Sequence, residues 1–334
     1  MSVTRRSISR ILPRACLGLI FALASPFTQR PGNAETKYPT KAVRIVVPFA
    51  AGGVADITAR IVAEKLGAKV GGRFYVENQP GAGGIAAART VISSARDGHT
   101  LALLSNGTAV SVSLFGNLPY DPLRDFDPIS SLGFFDFVFA TSPDSEFNTL
   151  ADFVAAGKAK PGTLNVGTIN VGSTQNLSAE LFKTAAGIDF TIIPYRGTPE
   201  VLVSTMQGNV DLMIDSYSSI RGNLLDKKIR ALATSGPVRA ESTPDIPTLR
   251  ESGVPGYDVV SWNALFAPAK TPPQIINMLN QALREILAEA EVKNRLLALG
   301  IEARASTPEE ISARLKADID KWRDVIQKAG LQKQ

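Results

Sequence analysis

The segment Pro48-Phe49-Ala50-Ala51-Gly52-Gly53-Val54-Ala55-Asp56 is where this sequence comes closest to stating its chemistry. A β-branched run ends at Pro48, glycines turn the chain, and the helical spacing of Ile57, Ile61, Val62 and Leu66 follows. A strand that turns through glycine into a helix leaves first-turn N–H groups without intrahelical partners. It also aims the positive end of the helix dipole at whatever sits above the strand. That is an anion site. No lysine follows, so the loop lacks the Lys-Ser/Thr of a nucleotide-binding P-loop. Asp56, in the first helical turn, has two readings: a helix cap, or a polar contact to the ligand.

Gly167-Thr168-Ile169-Asn170-Val171-Gly172-Ser173-Thr174-Gln175-Asn176 repeats the arrangement, with hydroxyls, amides and free N–H groups but no charge. Two such loops could clamp an anion, and Ser173 or Thr174 can also serve as an N-cap. A third glycine loop, Gly81-Ala82-Gly83-Gly84-Ile85-Ala86, formally fits G-x-G-x-x-A. The polar stretch from Glu77 to Pro80 separates it from its strand, and the next strand ends in Ser105-Asn106 rather than in an acid for a ribose. A tight turn onto a helix is the better account.

Catalytic groups are scarce. The one histidine, His99, lies in the turn Asp97-Gly98-His99-Thr100 and reads as an exposed turn residue, and the one cysteine, Cys16, falls in an N-terminal apolar run. Metal-ligand spacings and a G-x-S-x-G elbow are both missing, so no catalytic residue, metal or cofactor is assigned. The alternative to a binding protein, an exported α/β hydrolase or transferase, requires a positioned nucleophile and base that the sequence does not offer.

The elements that must position these loops read as alternating strands and helices. Ala42–Phe49, Arg73–Gln79 and Thr100–Ser105 are strand-like, with a helix over Ile85–Ala95. A second set follows the aromatic run Gly133–Ala140. It has strands over Leu164–Thr168, Asp189–Tyr195, Val210–Asp215 and Ile229–Ser235, and helices over Leu150–Lys158, Ser178–Ala186 and Pro199–Gln207. Val259–Ala269 then leads to two amphipathic helices, Pro273–Leu287 and Pro308–Ala329. Such alternation predicts parallel α/β sheets in two lobes.

Charge bears on the cellular compartment. The chain of 334 residues carries 36 Lys+Arg against 31 Asp+Glu, but Arg5, Arg6, Arg10, Arg14 and Arg30 all precede the first acid. Without residues 1–34 the balance is neutral, and the case for a nucleic-acid partner disappears. A basic n-region, the apolar run Ala15–Ala24 and the small-residue site Gly32-Asn33-Ala34 make residues 1–34 a cleavable signal peptide. The run is short for a membrane anchor, and Cys16 is poorly placed for lipidation. The expectation is an exported, periplasmic protein without disulfides.

The ordered matches VPFAAGGVAD (Val47–Asp56), VENQPGAGG (Val76–Gly84), NLPYDPLRDFDPI (Asn117–Ile129), PYRGTPE (Pro194–Glu200), GNVDLMID (Gly208–Asp215) and SWNALFAPAKTP (Ser261–Pro272) span essentially the whole mature chain. The sequence resembles the Bug-type extracytoplasmic solute receptors, the periplasmic substrate-binding components of tripartite tricarboxylate transporters. The resemblance implies a type II-like periplasmic-binding-protein fold: two α/β lobes, a two-strand hinge, and a ligand cleft between them. It places lobe 1 at 35–132 and 264–334 and lobe 2 at 133–263. It implies a receptor that binds an organic carboxylate and delivers it to integral-membrane transporter subunits. Dicarboxylates of a few carbons are the first expectation, aromatic acids the second because of Phe49, Phe134, Phe135 and Phe137, and the protein is expected to be a monomer. The binding loops fall on Phe49, Ala50, Gly52, Gly53, Val54, Ala55 and Asp56, and on Asn170, Gly172, Ser173 and Thr174. Asp215 matches the family's second-lobe aspartate, and Arg196 is the nearest side-chain cation. The family often has Ser or Thr at position 54 and His at position 176, where this chain has Val54 and Asn176.

Protein recovered from the periplasm is expected to show an intact mass beginning at Glu35. A mass that retains residues 1–34 would sink the export argument.

Overall fold

The computed structural model describes residues 38–333, so the expected signal peptide lies outside the described residues. The first lobe is built from β1 (Val43–Val47), α1 (Val54–Val70), β2 (Phe74–Asn78), α2 (Ile85–Ile92), β3 (Thr100–Ser105) and α3 (Asn106–Leu114). All six residues of β3 are buried, as a central strand with helices on both faces requires. The long strand β4 (Phe126–Thr141) then leads through α4 (Leu150–Ala159) to the second lobe. That lobe comprises β5 (Asn165–Ile169), α5 (Thr174–Ala186), β6 (Thr191–Tyr195), α6 (Thr198–Met206), β7 (Leu212–Ser216) and α7 (Tyr217–Leu225). β8 (Arg230–Thr234) and β9 (Val260–Pro268) follow, then α8 (Pro273–Ala288), α9 (Ala290–Leu297), β10 (Glu302–Ala303) and α10 (Pro308–Lys328).

The lobes repeat one another. Each is a β-α-β-α-β-α run whose parallel strands lie in the order second-first-third: β2-β1-β3 and β6-β5-β7. The strands joining them run antiparallel, so the sheets are mixed rather than purely parallel. β9 pairs with β3 and with β4 from Phe126 to Asp136, and β4 then pairs with β7 and β8 from Phe137 onward. β4 and β9 thus join the two strand sets.

The C-terminal helices are less confined than expected. α8 buries Ile275, Ile276, Leu279, Leu283 and Ile286 against α1 and β4, but α10 lies on α3 and also reaches α5 of the second lobe. Polar contacts fix it there: Trp262 Nε1 donates to Asp318 Oδ2 (2.7 Å) and Trp322 Nε1 to Asn106 Oδ1 (2.8 Å). His99 is buried, not exposed. Its ring packs on Tyr38 at 5.1 Å, and Nε2 accepts the Thr40 amide at 3.2 Å.

Asp136 occupies the last β4–β9 rung before the pairing changes and is 9% exposed. Burial, with the negative charges of Glu302 and Asp258 adding to it, pushes its carboxyl up to about 7. A carboxyl raised in the folded state contributes stability that is complete at low pH and is lost as pH rises toward the folded value. Urea unfolding is therefore expected to show stability falling between about pH 4 and 7, and Asp136→Asn should flatten that slope. An unchanged slope in the variant would remove Asp136 as its source.

Candidate functional site

The carboxyl ends of β1, β3, β5 and β7 open onto one cavity of about 570 Å³. In each lobe it lies where the strand order reverses, the place where open α/β sheets leave a crevice between diverging loops. Residues at the starts of α1, α3, α5, α6 and α7 line it: Gly53, Val54 and Ala55; Ser105 and Gly107; Ser173, Thr174 and Gln175; Thr198; and Ser216 with Ser219.

The two glycine loops are held by the same device. Gly52 N–H donates to the Asp56 side chain (2.9 Å), and Gly172 N–H to the Asn176 side chain (3.1 Å). Each is a clasp from residue i to residue i+4. Both glycines have positive φ, +85° and +78°, which an L side chain adopts only under strain. At Gly172 there is a second reason for glycine, because an added Cβ would collide with the Leu114 side chain of α3. The clasp turns the chain so that the next amides, including those of Val54, Ala55 and Thr174, begin a helix with their N–H groups unpaired within it.

Asp56 therefore belongs behind the loop. One oxygen takes Gly52 and Arg60 Nε, the other takes Asn78 Nδ2 (2.9 Å), and Asn78 also donates to Phe49 O (3.0 Å). Burial alone would raise this carboxyl, but the hydrogen bonds from Arg60, Gly52 and Asn78 outweigh it and hold it below its ordinary value. In the second lobe, Ser173 Oγ accepts the Asn176 amide (3.1 Å) as an N-cap, and Asn106 Nδ2 donates to Thr174 Oγ1 (3.2 Å) across the lobes.

Of the residues read from sequence, Phe49, Gly53, Val54, Ala55, Asn170, Gly172, Ser173, Thr174 and Asp215 line the cavity. Ala50, Gly52, Asp56 and Arg196 do not. Gly52 has its N–H committed to Asp56, and Arg196 is an exposed residue whose amide is bonded to Glu200. The third glycine loop is a single turn before α2, and its Gly83 also reaches the cavity.

Sequence reasoning missed Ser105, Gly107, Gln175, Thr198, Ser216, Ser219, Ser261 and Asn263. A strand ending in a small polar residue, as in TLALLS-NG and LMID-S, is the signal that could have found the α3 and α7 starts. Asn263 pairs with Ser105 across β9 and β3. It is 1% exposed, and its Nδ2 is a buried donor with no partner among the described residues. Among the described residues, Asp215 is the only charged one in the lining. Burial pushes its carboxyl up, against bonds from Thr198, Gln175 and Ser216 that favour the ionised form. Among the described residues, no group of three or more His, Cys, Asp or Glu could hold a metal ion.

Residues 58–331 match the family model described as the tripartite tricarboxylate transporter family receptor. Protein BugT of Bordetella pertussis is 32% identical over 97% of this chain and 98% of its own length. Among solved structures, R. palustris Rpa4515 with adipate is similar at a TM-score of 0.78 and 32% identity, covering 88% of this chain and 98% of its own. MatC from Rhodopseudomonas palustris with bound malate is similar at 0.73 and 33%, covering 86% and 100%. The chain belongs to the tripartite tricarboxylate transporter receptor family and has the two-lobed periplasmic-binding-protein fold of its relatives.

Proposed function

We propose that this protein is a periplasmic receptor that captures a small organic carboxylate in the interlobe cavity and delivers it to integral-membrane transporter subunits. One observation carries the carboxylate: a cavity fringed by helix N-termini, with no Lys or Arg in its lining, that holds the unpartnered amide of Asn263. A buried donor without a partner is costly, and an anion is what several converging donors would satisfy. Adipate in Rpa4515 and malate in MatC support an acid as the ligand and are the grounds for considering dicarboxylates. We assign no reaction, because the lining offers hydroxyls and amides with no histidine or cysteine to act as base or nucleophile.

The lobes are assigned to 35–132 with 264–334 and to 133–263, with bending at β4 and β9 closing the cavity over the ligand. Small-angle scattering is expected to report a more compact particle with ligand than without. Superimposable profiles would count against closure.

The acid head is held by the amides of Gly53 to Ala55, by Asn263, and by Thr174, whereas Ser173 donates its N–H to Asn170 O and its hydroxyl to Ile169 O and so serves the loop rather than the ligand. Hydrogen bonds to a charged acceptor are worth roughly 1.5–3 kcal/mol each, so losing one should weaken binding by about ten- to a hundredfold. Calorimetry with the acid that most raises the melting temperature in a carboxylate screen is the measurement. Gly53→Pro, which deletes an amide donor, and Asn263→Ala should each show that loss, while Arg196→Ala stays within about threefold of wild type. The reverse order would replace the neutral donors with an arginine clamp.

A further inference from the structure

With an acid head on the helix ends, the rest of the ligand faces walls of another kind. Phe49, Leu114 and Phe115 come from the first lobe, and Phe135 and Phe137 from the crossing strand β4. Phe135 and Phe137 meet edge to face with centroids 6.1 Å apart, and Phe49 is 39% exposed. Four phenyl rings and a leucine make a surface that gains by covering apolar area and gives a second charged group nothing to bond.

The one charge among the described lining residues, Asp215, opens onto the same cavity as these rings, at the end of β7 next to Ser216, the residue that pairs with Phe137. Asp215 is 1% exposed. Its Oδ1 accepts Gln175 Nε2 (3.1 Å) and the Ser216 amide (2.7 Å), and its Oδ2 accepts Thr198 Oγ1 (2.5 Å). Three donors, Gln175 of α5, Thr198 of α6 and the Ser216 amide before α7, are thus already committed to a resident carboxylate, with no cation among the described lining residues to balance it. A second ligand carboxylate at this end would meet a like charge away from bulk water and find its donors taken. A ring edge, a hydroxyl or an ammonium would meet neither penalty.

We propose that the cavity is built for a monocarboxylate with an aromatic body, whose far substituent, where it has one, is a hydrogen-bond donor turned toward Asp215. This deepens the carboxylate-receptor reading and rests on it. The test is calorimetry at pH 7.5 on the mature protein with 4-hydroxybenzoate, 3-phenylpropanoate, adipate and malate. Burying one more methylene-sized group is worth about fourfold in affinity, so a ring in place of a second carboxylate should bind at least about tenfold tighter.

Phe135→Leu should narrow the ratio of aromatic acid to adipate, and Asp215→Asn should strengthen adipate, with unchanged circular dichroism showing that both variants fold. Lowering the pH should favour adipate over the aromatic acids, as its second carboxyl and Asp215 take up protons. If adipate or malate binds as tightly as both aromatic acids at pH 7.5, the aromatic inference is overturned and the carboxylate receptor stands. If none of the four acids binds or raises the melting temperature, both fall.

Discussion

A backbone amide can hold an anion only if something else fixes where it points, and here that constraint is met by the same bond twice. Gly52 N–H to Asp56 and Gly172 N–H to Asn176 each bend a strand end into a helix start. The bend exposes the next amides, and the aligned peptides behind them supply the positive end of a dipole. Because the donors are main-chain groups on α1 and α5, they need not reorganise as a long cationic side chain would. Losing a clasp would cost position before it cost charge, which distinguishes this design from an arginine-lined pocket.

The two clasps differ in chemistry because their surroundings differ. Asp56 brings a full negative charge to the first turn of α1, where it stabilises the helix but opposes an incoming anion. Arg60 and Asn78 take up that charge from behind, and Asn78 also ties down the Phe49 carbonyl, so the network holds the cavity lip as well as the turn. Asn176 needs no such support, being neutral, and its Nδ2 turns to Thr168 within the lobe. Asp215 is the counterpart problem: a carboxylate inside the wall, tolerated because Gln175, Thr198 and the Ser216 amide all donate to it. The field in the cavity is therefore uneven. Donors are free beside Asn263 and spent beside Asp215.

Much of this was legible in the sequence where local pattern and tertiary environment agree. TLALLS at Thr100–Ser105 is a strand over the residues its apolar run indicated, and the loops at Gly52 and Gly172 stand where glycine and strand endings placed them. α3 was not legible, because NGTAVSVSL is rich in Ser, Thr and Val, which have weak helix propensity. Its helix depends on the Ser105 cap and on burial against α10, a partner about two hundred residues away, at a separation no local rule can see. α7 is similar: its buried face is essentially Ile220. Asp56 was legible as a cap or a ligand contact but not as which, since the choice depends on Asn78 and Arg60 converging from another strand and another turn. His99 was misread for the same reason, because the turn that looked exposed is covered by Tyr38.

The helix that sequence could not see links the C-terminal segment to the residues lining the cavity. Asn106, the first residue of α3, is 0% exposed and uses both ends of its amide. Oδ1 accepts from Trp322 of α10, and Nδ2 donates to Thr174 at the start of α5. One side chain therefore connects a helix far from the cavity to donors of both lobes, and Leu114 at the other end of α3 fills the space that Gly172 leaves open. Asp318, nearly buried on α10, bonds Trp262 on the crossing strand β9 and Arg314 on its own helix. α10 is thus braced against β9 and α3 together. The brace does not extend to the two clasped loops, where Phe49 and Val171, 39% and 49% exposed, stand at the cavity with part of their apolar surface uncovered.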